Sequence, residues 1–313
     1  MGQAYHAGVL AALEQDLGWD PRSADVIVGS SAGSLTGTAL RMGVGAADLA
    51  ARATAAPLSA EGRPLVEALD PGVELPPFDP RTMLQGWRLP SPALMARVAR
   101  RPWAFRPSVA AMTLLPAGLV DISGRADALA PVLGDRWPDG LWICAARRDN
   151  GARTTFGRAG APPAPLWRAV AASCAIPGYF SPITIDGVDY FDGGVHSPTN
   201  ADVLRDEQLD LVIVVSPMSA AHGRSATADA VLRWAAHRRL EREVGRLRAR
   251  GTQVVRFEPA GRVLAAMGLN AMDEDRVARV VEQSFLEGGT HAAHGPVAAR
   301  LAPLAGRLTD LAA

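Results

Sequence analysis

Apolar positions along the chain follow two periods, and each period predicts a different kind of element. Leucines spaced by three or four residues predict a helix over residues 3–16. Short apolar runs predict strands, and the run over 209–215 is the clearest candidate for a buried one. The other predicted strands span 25–28, 141–146, 153–156, 183–191 and 252–257, and the other predicted helices span 32–41, 46–55, 165–174, 226–250, 273–287 and 296–304.

Two glycine-containing pairs mark hairpins between predicted strands. Asn150-Gly151 and Asp186-Gly187 are both typical of tight two-residue turns. Elsewhere strands alternate with helices, which indicates an α/β fold with three layers: a mainly parallel sheet with helices on both faces. We expect a single domain over residues 1–313.

Residues 56–122 depart from this alternation. The segment is rich in proline and is predicted to be irregular, yet it carries Trp87, Trp103, Phe105 and many leucines among scattered arginines. Linkers rarely hold so much apolar surface, so we expect a cap-like insertion. Its 83–120 part suits either a buried cap over a site or a lid that touches a membrane.

The composition narrows the classes of function. The 313 residues are 48% hydrophobic and 20% charged, which is ordinary for a globular protein. The formal net charge is zero, so no excess of positive charge indicates nucleic-acid binding. Every cationic side chain is arginine, which excludes a catalytic lysine.

No apolar run reaches about 18 residues and no signal peptide is recognisable, so we expect a cytoplasmic protein without a transmembrane helix. Cys144 and Cys174 lie in apolar runs and are predicted to be buried free thiols.

A candidate nucleophile lies in the stretch VIVGSSAGSLTG, which reads as G-x-S-x-G between a predicted strand and a predicted helix. Ser31 would be the nucleophile, Gly29 and Gly33 would allow the tight turn, and the Ala32 N–H would face a developing oxyanion. The motif alone is weak, because a Gly/Ser turn that only starts a helix reads the same way. A phosphate cradle fits less well, since the lysine of a P-loop is absent.

The general base is predicted to be acidic. None of the histidines (His6, His196, His222, His237, His291 and His294) has surroundings typical of a base, and surface or capping roles are expected for them. Asp192, in the run YFDGGVHSPTN, follows a strand and precedes Gly193 and Gly194, which leave room for a serine hydroxyl. A solvated Asp-Gly turn is the alternative interpretation. No cluster with metal-ligand spacing is found, so we expect neither metal nor cofactor.

Together with their flanks, the two motifs resemble the patatin-like phospholipase family. The helix YHAGVLAALE leads into VIVGSSAGS, and AVAASCAIPGYFSPITIDGVDYFDGGV carries the second motif. The resemblance covers about residues 2–45 and 141–216. It implies a serine–aspartate dyad, with Ser31 as nucleophile and Asp192 as general base.

The start of the chain departs from the family pattern. The resemblance implies a strand and a glycine-rich loop before the first helix, whose N–H groups form the oxyanion hole. Here only Gly2 is a candidate remnant of that loop, and Gln3 stands where glycine is usual. We expect the natural start to lie upstream of the first residue.

The predicted function is hydrolysis of fatty-acyl esters of phospholipids or neutral lipids through an acyl-enzyme. Two alternatives stay open: a general carboxylesterase or thioesterase on the same fold, and a pseudoenzyme that binds lipid without turnover. The expected partner is an acyl-ester substrate, with peripheral membrane contact through about 83–120, whereas the arginine-rich 226–250 helix reads better as a solvated face.

Overall fold

A computed structural model of the chain describes residues 1–70, 91–112, 115, 118–134, 136–220, 229–268, 270 and 273–305. The helices are α1 (Gly2–Leu17), α2 (Ala32–Arg41), α3 (Ala46–Ala53), α4 (Gly62–Ala68), α5 (Pro92–Arg100), α6 (Pro107–Met112), α7 (Ser123–Ala128), α8 (Ala130–Leu133), α9 (Leu166–Cys174), α10 (Ala230–Arg248), α11 (Gly261–Met267), α12 (Val277–Ala292) and α13 (Gly295–Leu301). The strands are β1 (Ile27–Gly29), β2 (Leu141–Arg147), β3 (Arg153–Phe156), β4 (Ile183–Ile185), β5 (Val188–Asp192), β6 (Leu211–Val215) and β7 (Gln253–Phe257).

The chain divides into two compact units. The first unit consists of Met1–Asp25, Ala39–Val66 and Ala201–Ala313, and the second consists of Val26–Thr38 and Glu67–Asn200. The predicted strands and helices are confirmed in both units, with ends that shift by a few residues. The clearest shift is in α12, which begins at Val277 rather than near residue 273.

Part of the 56–122 segment is helical, so the expectation of an irregular segment is wrong there. α4, α5 and α6 all lie in this segment. At α5 the Ser91 hydroxyl accepts a hydrogen bond from the Leu94 N–H at 3.2 Å, and Pro92 occupies the first helical position. Proline is well tolerated at that position because its fixed φ suits the helix start, so Pro92 begins α5 and does not break it. Trp87 lies outside the described residues.

The second unit is built on a mixed sheet in which β2 is the central strand. β1 runs parallel to β2, whereas β3 and β5 each pair with β2 in the antiparallel sense and β4 pairs antiparallel with β5. The α/β class is confirmed, but this sheet is mixed rather than mainly parallel. The hairpins account for part of this, because Gly151, Asp186 and Gly187 have positive φ and turn the chain back on itself between β2 and β3 and between β4 and β5.

Helix α9 covers β2, β4 and β5 in the second unit. Its inward side carries small residues, among them Ala169, Ala172 and Ser173, all of which are fully buried. Small side chains let a helix approach a sheet closely. The end of α9 therefore lies near the ends of β2 and β5, where the second motif begins.

The first unit has a helical core beside the parallel pair β6 and β7. Helix α1 packs against α3 and α12 and is buried from Ala4 to Leu13, so it is apolar on most sides rather than amphipathic. A Cβ at Gly8 would lie 2.1 Å from the Ser284 Oγ, which shows how closely α1 and α12 approach. Strand β6 is apolar on both faces, as its continuous pattern predicts.

None of the described helices is both long enough and apolar enough to cross a membrane.

Candidate active site

The first motif forms a tight turn between β1 and α2. Gly29 ends the strand, Ala32 begins the helix, and Ser31 has a φ of +53°, in the left-handed region that residues with side chains seldom adopt. Such a conformation costs about 1–3 kcal/mol and persists where the surroundings enforce it. The Gly33 N–H donates to the Ser30 carbonyl at 2.9 Å and closes the turn.

The glycines of this turn are required by close main-chain contacts. A Cβ at Gly29 would lie 2.5 Å from the Gly33 carbonyl oxygen and 2.6 Å from the Ser34 Cα. Main-chain atoms cannot move aside as a flexible side chain can, so position 29 requires glycine. The Ser34 hydroxyl also donates to the Ser31 carbonyl at 2.7 Å. Gly29 and Gly33 thus lie in the turn that presents Ser31, as predicted.

A buried serine on α9 supports the strained turn from the other side. The Ser31 N–H donates to the Ser173 Oγ at 2.9 Å, and the Ser173 hydroxyl donates to the Cys144 carbonyl of β2 at 2.7 Å. Ser173 is fully buried. Because a buried N–H without a partner is costly, this relay stabilises the backbone conformation that Ser31 needs.

Asp192 ends β5 and is brought to the serine turn. Its main-chain N–H donates to the Ala175 carbonyl at 2.9 Å, and its Oδ1 accepts from the Gly194 N–H at 2.7 Å. The residue is 6% exposed, and hydrogen bonding from the Ser31 side chain lowers the pKa of its carboxyl group. A serine and a carboxylate that are far apart in sequence are therefore neighbours in the fold. A solvated Asp-Gly turn, the alternative interpretation, does not describe this buried side chain.

The second motif packs against the first with no space for a side chain. A Cβ at Gly193 would lie 2.2 Å from the Cys144 carbonyl oxygen and 2.7 Å from the Ser30 Oγ. Gly194 supplies the N–H that holds the Asp192 carboxylate. Both predicted glycines of this motif therefore lie at the contact between the two turns.

The electrostatics of the site favour a base that works near neutral pH. Burial raises the pKa of Asp192 to about 6, while hydrogen bonds from Ser31 and from the Gly194 N–H act in the opposite direction. The net value is close to what a general base needs.

Burial, followed by the neighbouring Asp192 charge, raises the pKa of Cys174 to about 12, so this thiol is protonated at neutral pH. Cys144 and Cys174 are both free, as predicted, although Cys174 is only partly buried.

The remaining predicted support residues are Ala32 and Gly2. Ala32 is the first residue of α2, directly after Ser31, and within the described residues no acceptor is found for its N–H. Gly2 is the first residue of α1 in the first unit. Its proposed part in an oxyanion hole stays a prediction.

The histidines differ in their surroundings. His6 is buried in α1, and burial lowers its pKa to about 4, so the surface or capping role expected for it is wrong. His237 lies 2.8 Å from the Glu258 carboxylate through its Nδ1, and the His291 Nε2 lies 3.0 Å from a main-chain carbonyl. His222 lies outside the described residues.

Sequence reasoning missed the residues that hold the two turns in place. Ser173 and Asn200 both hydrogen-bond to the motif turns, and neither belongs to a recognised motif. A signal was present for Asn200, because it closes the run YFDGGVHSPTN, and asparagine readily adopts positive φ. In the ranges that the structure describes, no group of His, Cys, Asp and Glu side chains is arranged to hold a metal ion.

In a comparison with protein families, the model of the patatin-like phospholipase family matches residues 1–205, which include both motif turns and cover about two thirds of the chain. No curated protein matches the chain.

Proposed function

The chain belongs to the patatin-like phospholipase family, and from that premise we propose that it is a lipid acyl hydrolase acting on phospholipids or neutral lipids through Ser31 and Asp192. One observation carries the proposal: a serine at a strained strand-to-helix turn lies beside a buried carboxylate whose pKa is raised. A serine hydroxyl is a weak nucleophile unless a base takes its proton, and this carboxylate is that base.

Acylation follows from the closeness of the two side chains. Asp192 takes the Ser31 proton as the Oγ attacks the ester carbonyl carbon, and the carbonyl electron pair moves onto oxygen. When this tetrahedral intermediate collapses, the C–O bond to the alcohol breaks and protonated Asp192 gives its proton to the leaving oxygen. The product is an acyl-serine with Asp192 ionised again.

Deacylation uses the same carboxylate. Asp192 takes a proton from a water molecule as the water oxygen attacks the acyl-serine carbonyl. Collapse releases the fatty acid, and the proton returns to the Ser31 oxygen. A single base therefore serves both half-reactions, as microscopic reversibility requires.

The oxyanion of both intermediates needs hydrogen-bond donors. The Ala32 N–H follows the nucleophile and belongs to the first turn of α2, where the helix dipole places partial positive charge. Removing one such donor costs about 2.7–4 kcal/mol of transition-state stabilisation in well-studied hydrolases. We assign Ala32 as one donor.

Contact with a lipid surface is proposed through the 83–120 segment. In its described part Trp103 is 82% exposed, and Arg97, Arg100 and Arg101 around it are exposed as well. An exposed tryptophan among arginines is typical of a membrane interface with anionic lipid. Residues 83–90, 113, 114, 116 and 117 lie outside the described residues.

The test is fatty-acid release by the purified full chain from vesicles of mixed zwitterionic and anionic phospholipid, with Ser31→Ala as control. We expect release by the wild type and none by the control. A second arm uses Trp103→Ala, which we expect to lower the rate on vesicles but not on a soluble short-chain ester. If activity does not increase once the substrate concentration passes its micellar threshold, the carboxylesterase alternative would be favoured. Lipid binding that persists in Ser31→Ala, with no turnover by either protein, would favour the pseudoenzyme.

A further inference from the structure

Asn200 touches both motif turns with a single amide group. The residue is fully buried and has a φ of +51°, a conformation that asparagine tolerates better than most residues. Its Nδ2 donates to the Ser197 carbonyl at 2.6 Å and lies 3.2 Å from the Gly193 carbonyl and 3.4 Å from the Ser30 Oγ. Ser30 and Gly193 belong to different turns, so the amide bridges them.

The orientation of this amide is fixed by an arginine. The Arg153 Nη1 donates to the Asn200 Oδ1 at 3.1 Å. Arginine can only donate, so the oxygen of the amide must face Arg153 and the nitrogen must face the turns. The Asn200 main-chain N–H also donates to the Ser197 Oγ at 3.2 Å, which holds the residue from a further side.

The bridged residues are the immediate neighbours of the dyad. Ser30 precedes Ser31, and Gly193 follows Asp192. The turns already approach so closely that Gly193 has no room for a Cβ. A link between Ser30 and Gly193 therefore sets how far apart the nucleophile and its base stand.

We infer that Asn200 is a positioning residue that holds the serine turn and the aspartate turn at the separation that proton transfer from Ser31 to Asp192 requires. The inference rests on the proposed function for its kinetic consequence. Its geometric consequence, the action of the Ser31 hydroxyl on the Asp192 carboxyl group, is independent of turnover. Asn200 itself does not touch the reacting atoms.

Two variants test the role of the Asn200 side-chain amide separately from that of the backbone conformation at this position. Asn200→Gly removes the side chain while keeping a residue that accepts positive φ, and Asn200→Asp keeps the shape but replaces the donor with an acceptor. The matched control is Asn150→Asp, the same exchange in a hairpin turn where the Asn150 side chain only accepts a hydrogen bond, from the Ala152 N–H. Urea unfolding of each variant reports whether it is folded under the assay conditions.

The kinetic readout is initial rates on a soluble ester as a function of pH. We expect kcat of both Asn200 variants to fall by about 10- to 100-fold with KM changed by less than about threefold, because small misplacements of reacting groups have effects of this size. We also expect the acid limb of kcat to move to higher pH, since the Ser31 hydrogen bond lowers the Asp192 pKa. A purely structural role would lower the stability and leave that limb in place.

A second readout does not depend on activity. Titration of carbon-13-labelled aspartate followed by NMR, with the Asp192 signal identified by its loss in Asp192→Asn, should show a higher Asp192 pKa in Asn200→Gly than in the wild type. An unchanged pKa in the folded variant would overturn the inference. A raised pKa together with a wild type that hydrolyses no ester would support the positioning role and reject the proposed function instead.

Discussion

Two buried carboxyl groups, one in each unit, differ in the kind of partner they have. Glu243, in α10 of the first unit, accepts from the Arg239 guanidinium at 3.0 Å and from the Ala201 N–H at 3.0 Å. Asp192, in the second unit, accepts from the Gly194 N–H at 2.7 Å and has the neutral Ser31 hydroxyl beside it. Both side chains are buried, so burial alone does not distinguish them.

The partners act differently on the two carboxyl groups. The Arg239 guanidinium pairs with Glu243 and fixes its position. Neutral donors stabilise the Asp192 charge less than burial destabilises it, and its pKa is raised to about 6. In the proposed mechanism such a carboxylate takes the Ser31 proton. The comparison therefore assigns Glu243 to the fold and, under the proposal, Asp192 to the reaction.

The largest expected effect is the loss of activity on changing the dyad. Ser31→Ala and Asp192→Asn should each lower kcat/KM by about four to six orders of magnitude, because a nucleophile and its base act as a unit. Glu243→Gln should leave kcat/KM of the folded protein within about threefold, since the role of Glu243 lies in the fold. Initial rates on a soluble ester measure both. A loss in Glu243→Gln as deep as in Asp192→Asn would break the comparison.

The next effect concerns stability and involves Glu243. Glu243→Ala leaves the Arg239 guanidinium without this carboxylate, and breaking a buried pair in this way typically costs about 3–5 kcal/mol. Glu241→Ala on the same helix removes an exposed carboxylate that pairs with Arg256, and should cost less than about 1 kcal/mol. Urea unfolding at neutral pH compares the two variants. Equal losses would contradict the structural role assigned to Glu243.

Asp192→Asn should act on stability in the opposite direction. The Asp192 pKa is about 6 in the folded chain against an ordinary aspartate value of 3.8, so the folded state binds the proton more tightly and is favoured at low pH. That contribution is complete below about pH 4 and is lost as pH rises through about 6. At pH 8 the neutral amide should therefore unfold with a free energy higher by up to about 3 kcal/mol. Unfolding curves of wild type and variant at pH 8 and pH 4 check this, and a variant less stable at pH 8 would refute it.

The pH dependence of the rate should follow the same carboxyl group. The base must be ionised, so kcat/KM should fall about tenfold per pH unit below about pH 6. The measurement is the rate on a neutral soluble ester between pH 4 and 8, corrected for the folded fraction. A profile that stays flat down to pH 4.5 would place the pKa of the base elsewhere.

The smallest expected effect belongs to His196. It lies close to Asp192 in sequence, and its main-chain carbonyl accepts from Arg106 at 2.8 Å. Main-chain contacts survive a side-chain exchange, so His196→Ala should keep kcat/KM within about threefold. A loss as large as that of Ser31→Ala would indicate that His196, and not Asp192, is the base that activates the serine.

The sequence predicts the elements well, and it marks out the proposed dyad, because both depend on local patterns. The hairpin at Asn150-Gly151, the turn around Ser31 and the Asp192-Gly193-Gly194 run all carry their information within a few residues. The direction of strand pairing is less predictable, because β5 returns to β2 through tertiary contacts that no local pattern records.

The supporting residues could not be predicted in the same way. Ser173 lies 142 positions from Ser31, and Asn200 lies 170 positions from Ser30, so only folding brings them together. The raised pKa of Asp192 likewise arises from burial, which the Asp-Gly-Gly motif does not encode by itself. Local sequence points to the proposed reacting groups, and the tertiary structure supplies their positions and the raised pKa of Asp192.

The central claim is that Ser31 is activated by Asp192, and covalent labelling tests it most directly. The full chain, Ser31→Ala, Asp192→Asn and Glu243→Gln would each be treated with a fluorophosphonate probe at pH 8, with the modified residue mapped by mass spectrometry. The account predicts a label on Ser31 in the wild type and in Glu243→Gln, none at that site in Ser31→Ala, and labelling slowed by at least about a hundredfold in Asp192→Asn. Labelling of Ser31 at the wild-type rate in Asp192→Asn, or no labelling of Ser31 in the folded wild type, would contradict it.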